Sequence, residues 1–225
     1  ATPVISVRMF DQGLHNAPKN LRARLQAAVD AVEPGECDAI LLAYGICGTA
    51  TLGLTARHTP IVLARAHDCI TLYLGSMERY QIEFDAEPGT YWYSRDYLER
   101  NPSSSAVALG AASIEVSEAL YEEYVRKYGK DNADYLMEVM GEWGKHYRRA
   151  VFLDTGQSGE EQYEQLAQEQ AQQRGWTFER KAGDSRLINL LLNGEWHDAE
   201  FLVVPPQHRI VQSSDSGLIQ AIAVE

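Results

Sequence analysis

Basic residues are scarce in this chain. Lys and Arg number 20 against 32 Asp and Glu over 225 residues, a formal net charge of −12. No cationic field is left to neutralise a run of phosphates or to hold an anionic membrane, so nucleic acid is not an expected partner. Long apolar runs are missing as well: nothing approaches the roughly 18 uninterrupted residues of a membrane span, and no charged-then-apolar leader precedes Ala1, so a cytoplasmic protein is expected. Cysteine is limited to Cys37, Cys47 and Cys69, an odd number at wide spacing. That pattern does not suit a secreted disulfide framework and leaves thiols for metal or redox chemistry. Neither Gly-Lys-Ser/Thr nor Gly-x-Gly-x-x-Gly occurs, which excludes a Walker loop and the dinucleotide fingerprint.

What is present is an ordinary globular share of hydrophobic residues, 45%, arranged in short runs. PVISVRMF alternates as a strand does, with Ile5, Val7 and Met9 on one side. Leu21, Leu25, Ala28, Val29 and Val32 recur at helical spacing before Pro34-Gly35. Continuous apolar runs at Ala39 to Tyr44 and Ile61 to Ala64 predict strands covered on both faces. From Ile70 the period turns helical through Leu74, Met77 and Phe84 to Pro88-Gly89, and Tyr91-Trp92-Tyr93 forms an extended aromatic cluster. Asn101 to Ser105 reads as loop and Glu115 to Lys145 as helix broken at Gly129. Strand and helix then alternate again: Ala150 to Leu153, Glu160 to Arg174, Trp176 to Glu179, Leu187 to Leu192, and Phe201 to Val204 before Pro205-Pro206. The expected fold is α/β, a mostly parallel sheet flanked by helices with two Rossmann-like halves. It forms one domain over 1–225, divisible into 1–100 and 101–225. Ligands of such sheets sit at the carboxyl ends of the strands.

The richest of these strand ends is Arg65-Ala66-His67-Asp68-Cys69. An extended backbone there sets His67 and Cys69 on the same side. Cys47, in the glycine-flanked turn Tyr44 to Thr49, falls on the same rim if the two strands are neighbours. Two thiolates and an imidazole suit zinc or iron, and three ligands with an open position is the pattern of a catalytic metal. Cys47 can alternatively act as a nucleophile activated by His67. The structural use of the same residues makes Asp68 a helix N-cap, the cysteines small buried hydrophobes and His67 a backbone hydrogen-bonding group. Arg65, Arg79 and Tyr80 are candidates to hold a ligand carboxylate or phosphate, or else to form surface salt bridges. Asp154-Thr155-Gly156-Gln157-Ser158-Gly159 can cradle an anion, although Glu160 and Glu161 oppose one and capping is the simpler use.

YGICG, ARAHDCITLYLGSMERY, PGTYWYS, FLDTG, GDSRLINLLLNGEW and FLVVPP together resemble a prokaryotic domain-of-unknown-function family, number 1638. The resemblance implies a role around corrinoid-dependent methyl transfer in one-carbon metabolism. It singles out Cys47, His67, Asp68, Cys69, Ser76, Arg79, Tyr80, Asp154 and Gly156 as motif positions. Two classes of function follow as expectations. In the first, a metal-dependent, methyltransferase-related enzyme binds zinc or iron through Cys47, His67 and Cys69. Cys47 and Asp68 serve catalysis, and Gly48, Ser76, Arg79, Tyr80, Asp154 and Gly156 border a cofactor, cobalamin among the candidates. In the second, a non-catalytic accessory protein uses the same rim to hold a corrinoid or a partner such as a corrinoid protein.

Overall fold

Ile61–Ala64, apolar at every position, is buried at every position. Both faces of this strand are covered, as its composition requires. The computed structural model describes residues 5–11, 14–15, 17–46, 49–100, 125–126, 129–131, 146–214 and 217–224. Backbone contacts divide the chain into two units, the first formed by residues 1–80 and 184–225 and the second by residues 81–183.

The first unit holds α1 (Pro18–Asp30), β1 (Ile40–Leu42), β2 (Ile61–Ala64), α2 (Cys69–Leu74) and the start of α3 (Met77–Ala86). Pro18 opens α1, where its fixed φ fits and its missing N–H costs nothing. β1 and β2 are parallel, Ile40 level with Ile61. Ile61 and Leu63 pack with Leu21, Leu25 and Val29 of α1 on one face. Val62 and Ala64 pack on the other with Leu72, Leu187 and Leu191.

The chain departs here from two expectations. Residues 5–10 form no strand: Val7 and Met9 are 72% and 82% exposed, since alternation alone supplies no neighbouring ladder. The helix expected from Ile70 onward is two helices. Gly75 ends α2 at φ 71, and a β-carbon there would come 2.7 Å from the Asp184 carbonyl oxygen. Ser76 then caps α3 by accepting from the backbone N–H groups of Glu78 and Arg79 at 3.1 and 3.3 Å. The region expected as helix over Glu115 to Lys145 lies almost wholly outside the described residues.

The second unit contains the rest of α3, β3 (Thr90–Ser94), α4 (Arg95–Arg100), β4 (Arg149–Asp154), α5 (Glu161–Arg174) and β5 (Thr177–Ala182). β3, β4 and β5 form a parallel sheet with β4 in the middle. Tyr91, Tyr93, Ala150 and Phe152 face Ala167 and Ala171 of α5, so the aromatic cluster of the sequence is core.

The chain returns to the first unit as α6 (Arg186–Asn193) and β6 (Phe201–Val204), followed by the hairpin of β7 (His208–Gln212) and β8 (Ile219–Ala223). β6 joins the free edge of β2 antiparallel, a departure from the parallel pairing. The architecture is therefore mixed α/β, one sheet wholly parallel and another parallel on one side only. Among the described residues no helix is long and apolar enough to cross a membrane.

Candidate functional site

Because β1 and β2 run parallel, both leave the sheet of the first unit at the same end, and their exit loops touch. The Ile46 N–H donates to the Ala66 carbonyl at 3.0 Å. One residue earlier, Gly45 lies flat on the other loop: a β-carbon there would fall 2.5 Å from both the Cα and the carbonyl carbon of Asp68. Only glycine permits that approach. Cys47 and Gly48, next in the chain, lie outside the described residues.

Asp68 is fully extended, φ −155 and ψ −175, and is the N-cap of α2. Its Oδ1 accepts from the backbone N–H groups of Ile70 and Thr71 at 3.0 and 3.2 Å. His67 is exposed and Cys69 is half-buried at the first position of α2. The His67 ring lies 5.7 Å from the Tyr80 ring, centroid to centroid. Tyr80 also hydrogen-bonds the Asp68 carboxylate. Burial raises the pKa of Asp68, opposed by the amides it accepts from and by His67. Burial, the Asp68 charge and Cys69 together push the Tyr80 phenol up to about 12.

The flanking cations have structural work. The Arg65 Nε donates to the Asp198 carbonyl at 2.8 Å, and its Nη1 to the carbonyls of Gly217 and Ile219 at 2.7 and 2.6 Å. Arg79 Nη1 donates to the Leu74 carbonyl at 3.0 Å, and Ser76 is the α3 cap already described. Among the described residues, no three His, Cys, Asp or Glu side chains form a metal-binding group. Cys47 lies outside that set.

Asp154 and Gly156 belong to the second unit, at the carboxyl end of its central strand. Asp154 Oδ1 accepts from the Gly156 N–H at 2.8 Å, and its Oδ2 accepts from Arg180 at 2.6 Å. Glu160, only 3% exposed, turns its carboxylate back onto the Thr155 N–H and hydroxyl and hydrogen-bonds Asp154. Sequence reading gave Glu160 to the helix dipole and missed this pairing. The bond to Glu160, reinforced by Gly156 and Arg180, holds Asp154 down to about 2, and burial moves Glu160 up.

Fold and site together define an α/β protein whose most chemically equipped rim lies at the carboxyl ends of two parallel strands. Residues 9–192 match the model of a family described as a protein of unknown function, DUF1638, and the chain belongs to that family. No curated protein and no solved structure matches it.

Proposed function

We propose that the β1–β2 rim is a transition-metal site, with Cys47, His67 and Cys69 as ligands to zinc or iron, in a protein that serves corrinoid-linked methyl transfer. The observation that carries this reading is the seating of Gly45 on Asp68. It holds the loop leading into Cys47 against the residue between His67 and Cys69. The donor set fits a soft or borderline ion. A metal bound there would lower the pKa of a coordinated thiol and ready it as a methyl acceptor. The same reading gives Gly48, Ser76, Arg79 and Tyr80 to the binding of a cofactor such as cobalamin. Asp154 and Gly156 form the corresponding strand end of a second Rossmann-like half.

One observation favours the accessory form of this reading, in which the rim holds a corrinoid or a corrinoid protein without turnover. The Asp68 carboxylate is engaged by two amides and Tyr80, which suits a holding role better than proton transfer. Elemental analysis of protein purified without added metal tests the site. Close to one equivalent of zinc or iron is expected, lost in Cys69→Ser with folding intact; less than about a tenth of an equivalent in the parent overturns the reading. Co-elution with added cobalamin and a shifted visible spectrum support the corrinoid role, and no shift removes it.

A further inference from the structure

We propose that the outer edge of β8 is a contact between two copies of this chain, paired antiparallel about a two-fold axis at Ile222. The inference is independent of the metal reading and concerns residues beyond the family match. β7 is paired on both sides. Its His208 and Ile210 carbonyls accept from the Ala56 and Gly53 N–H groups at 2.9 and 2.8 Å, and its other edge carries β8. Two bonds fix the phase of the β7–β8 ladder: Val224 N–H to the Gln207 carbonyl and Ser213 N–H to the Leu218 carbonyl, both 2.9 Å. Even-numbered residues of β8 therefore bond β7, and Ile219, Ala221 and Ala223 turn their N–H and C=O groups outward. Arg65 fills the Ile219 carbonyl at 2.6 Å. Among the described residues no strand pairs with Ala221 or Ala223 on that side, and a cleft of about 310 Å³ lies beside Arg209, Ile222, Ala223 and Val224. The strand reads IQAIA, with none of the charges or prolines that keep edges from pairing.

A second copy matches what is left open. Setting Ile222 opposite itself brings each Ala221 level with the other copy's Ala223, and these pairs exchange four backbone hydrogen bonds without calling on Ile219. An axis at Ala221 would need the Ile219 carbonyl, already taken, and would set Ile222 against Gln220. Ile222 is 45% exposed and meets its copy in a non-hydrogen-bonded pair, the closer kind, at about 4.5 Å between Cα atoms. Most of the surface of a chain with net charge −12 repels its copy, whereas β8 carries no charge. The charge level with Ile222 is Arg209 on β7. Its two copies stand three strand spacings apart, about 14 Å, beyond the Debye length of about 8 Å.

Sedimentation velocity of the full chain over a concentration series tests the contact. The weight-average mass should rise toward twice the monomer value at high concentration, as suits a small interface. Ala223→Pro removes an outward donor without touching the β7 ladder, and Ile222→Lys sets like charges opposite each other at the axis. Each should weaken association about tenfold or more while the melting temperature stays near the parent's. Cross-linking reads the register. In a Cys37→Ser background, which removes an exposed thiol, Ile222→Cys should form an intermolecular disulfide on mild oxidation, its copy lying within the Cα range of about 4.4–6.8 Å. Gln220→Cys, level with the other copy's Val224, stands too far from its own copy and should stay reduced. If Ala223→Pro does not fold, Ile222→Lys and the two cysteine variants decide. A chain that stays monomeric to about 1 mM overturns the proposal and leaves the edge to a strand of another protein. A dimer unchanged by Ile222→Lys, or cross-linking through Gln220→Cys and not Ile222→Cys, overturns it as well.

Discussion

Gly45 and Asp68 meet backbone to backbone, with no room for a β-carbon between them: one placed on Gly45 would lie 2.5 Å from two main-chain atoms of Asp68. Main-chain atoms cannot rotate aside as a long side chain does. Gly45→Ala should therefore force the loops apart, destabilising the protein by about 1–3 kcal/mol. Urea denaturation reads the loss, and metal content should fall with it. An unchanged midpoint would show that the loops separate freely.

Arg65 is predicted to matter for stability and not for ligand capture. Arg65→Met leaves the carbonyls of Asp198, Gly217 and Ile219 without this donor, a cost of about 1–3 kcal/mol that comes from the part-buried bonds to Gly217 and Ile219. Denaturation should show that loss while metal per folded molecule stays at the parent level.

The carboxyl pair of the second unit gives a pH dependence of two signs. Asp154 is depressed to about 2, so its contribution is present above its unfolded value near 3.9 and is lost as pH falls through about 2. Glu160 is raised, so its ionised form is unfavourable in the folded state at neutral pH and the penalty is relieved as pH falls toward its folded pKa. Glu160→Gln should raise the melting temperature at pH 7 by a few degrees and abolish the gain on mild acidification. A variant whose Tm follows the parent curve in parallel would rule this out.

A mixed-charge cluster is expected to hold the second unit. Arg149 pairs with Glu83 and Glu179 at 3.1 and 3.4 Å, and Lys181 with the same two carboxylates at 2.8 and 2.9 Å. The Arg149 and Glu83 side chains are only 15% and 16% exposed. Arg149→Met strands part of that negative charge and should cost about 3 kcal/mol, little reduced by salt. A strong salt dependence of the loss would instead assign the pairs to the surface.

Much of this fold is written locally. The all-apolar run Ile61–Ala64 announces a doubly covered strand, and Gly194 marks the end of α6 at φ 78. The break at Gly75 was not legible because Leu74 and Met77 keep helical spacing across it. The signal that stops the helix is the approach of Asp184, more than a hundred residues away. The hairpin of β7 and β8 escaped notice since HRIVQ and IQAIA mix polar and apolar residues without a clean period. At the rim, the residue types of His67, Asp68 and Cys69 were readable as chemistry. The seating of Gly45 on Asp68 was not, because a backbone contact leaves no periodic trace. Glu160 was misread for the same reason: its position suggests a helix dipole, and its burial belongs to tertiary structure.

The antiparallel seat of β6 on β2 bears on how the protein should be expressed. The family match ends at residue 192, whereas β6 covers Phe201–Val204 and completes the sheet beside Ile61–Ala64. A recombinant fragment trimmed to the family boundary would strip one side of the central strand. Four apolar residues would then be left with open backbone donors and acceptors, the kind of edge that recruits strands from other molecules. Such a fragment should collect in inclusion bodies, and insolubility of the trimmed product would say nothing about the site it was cut to contain.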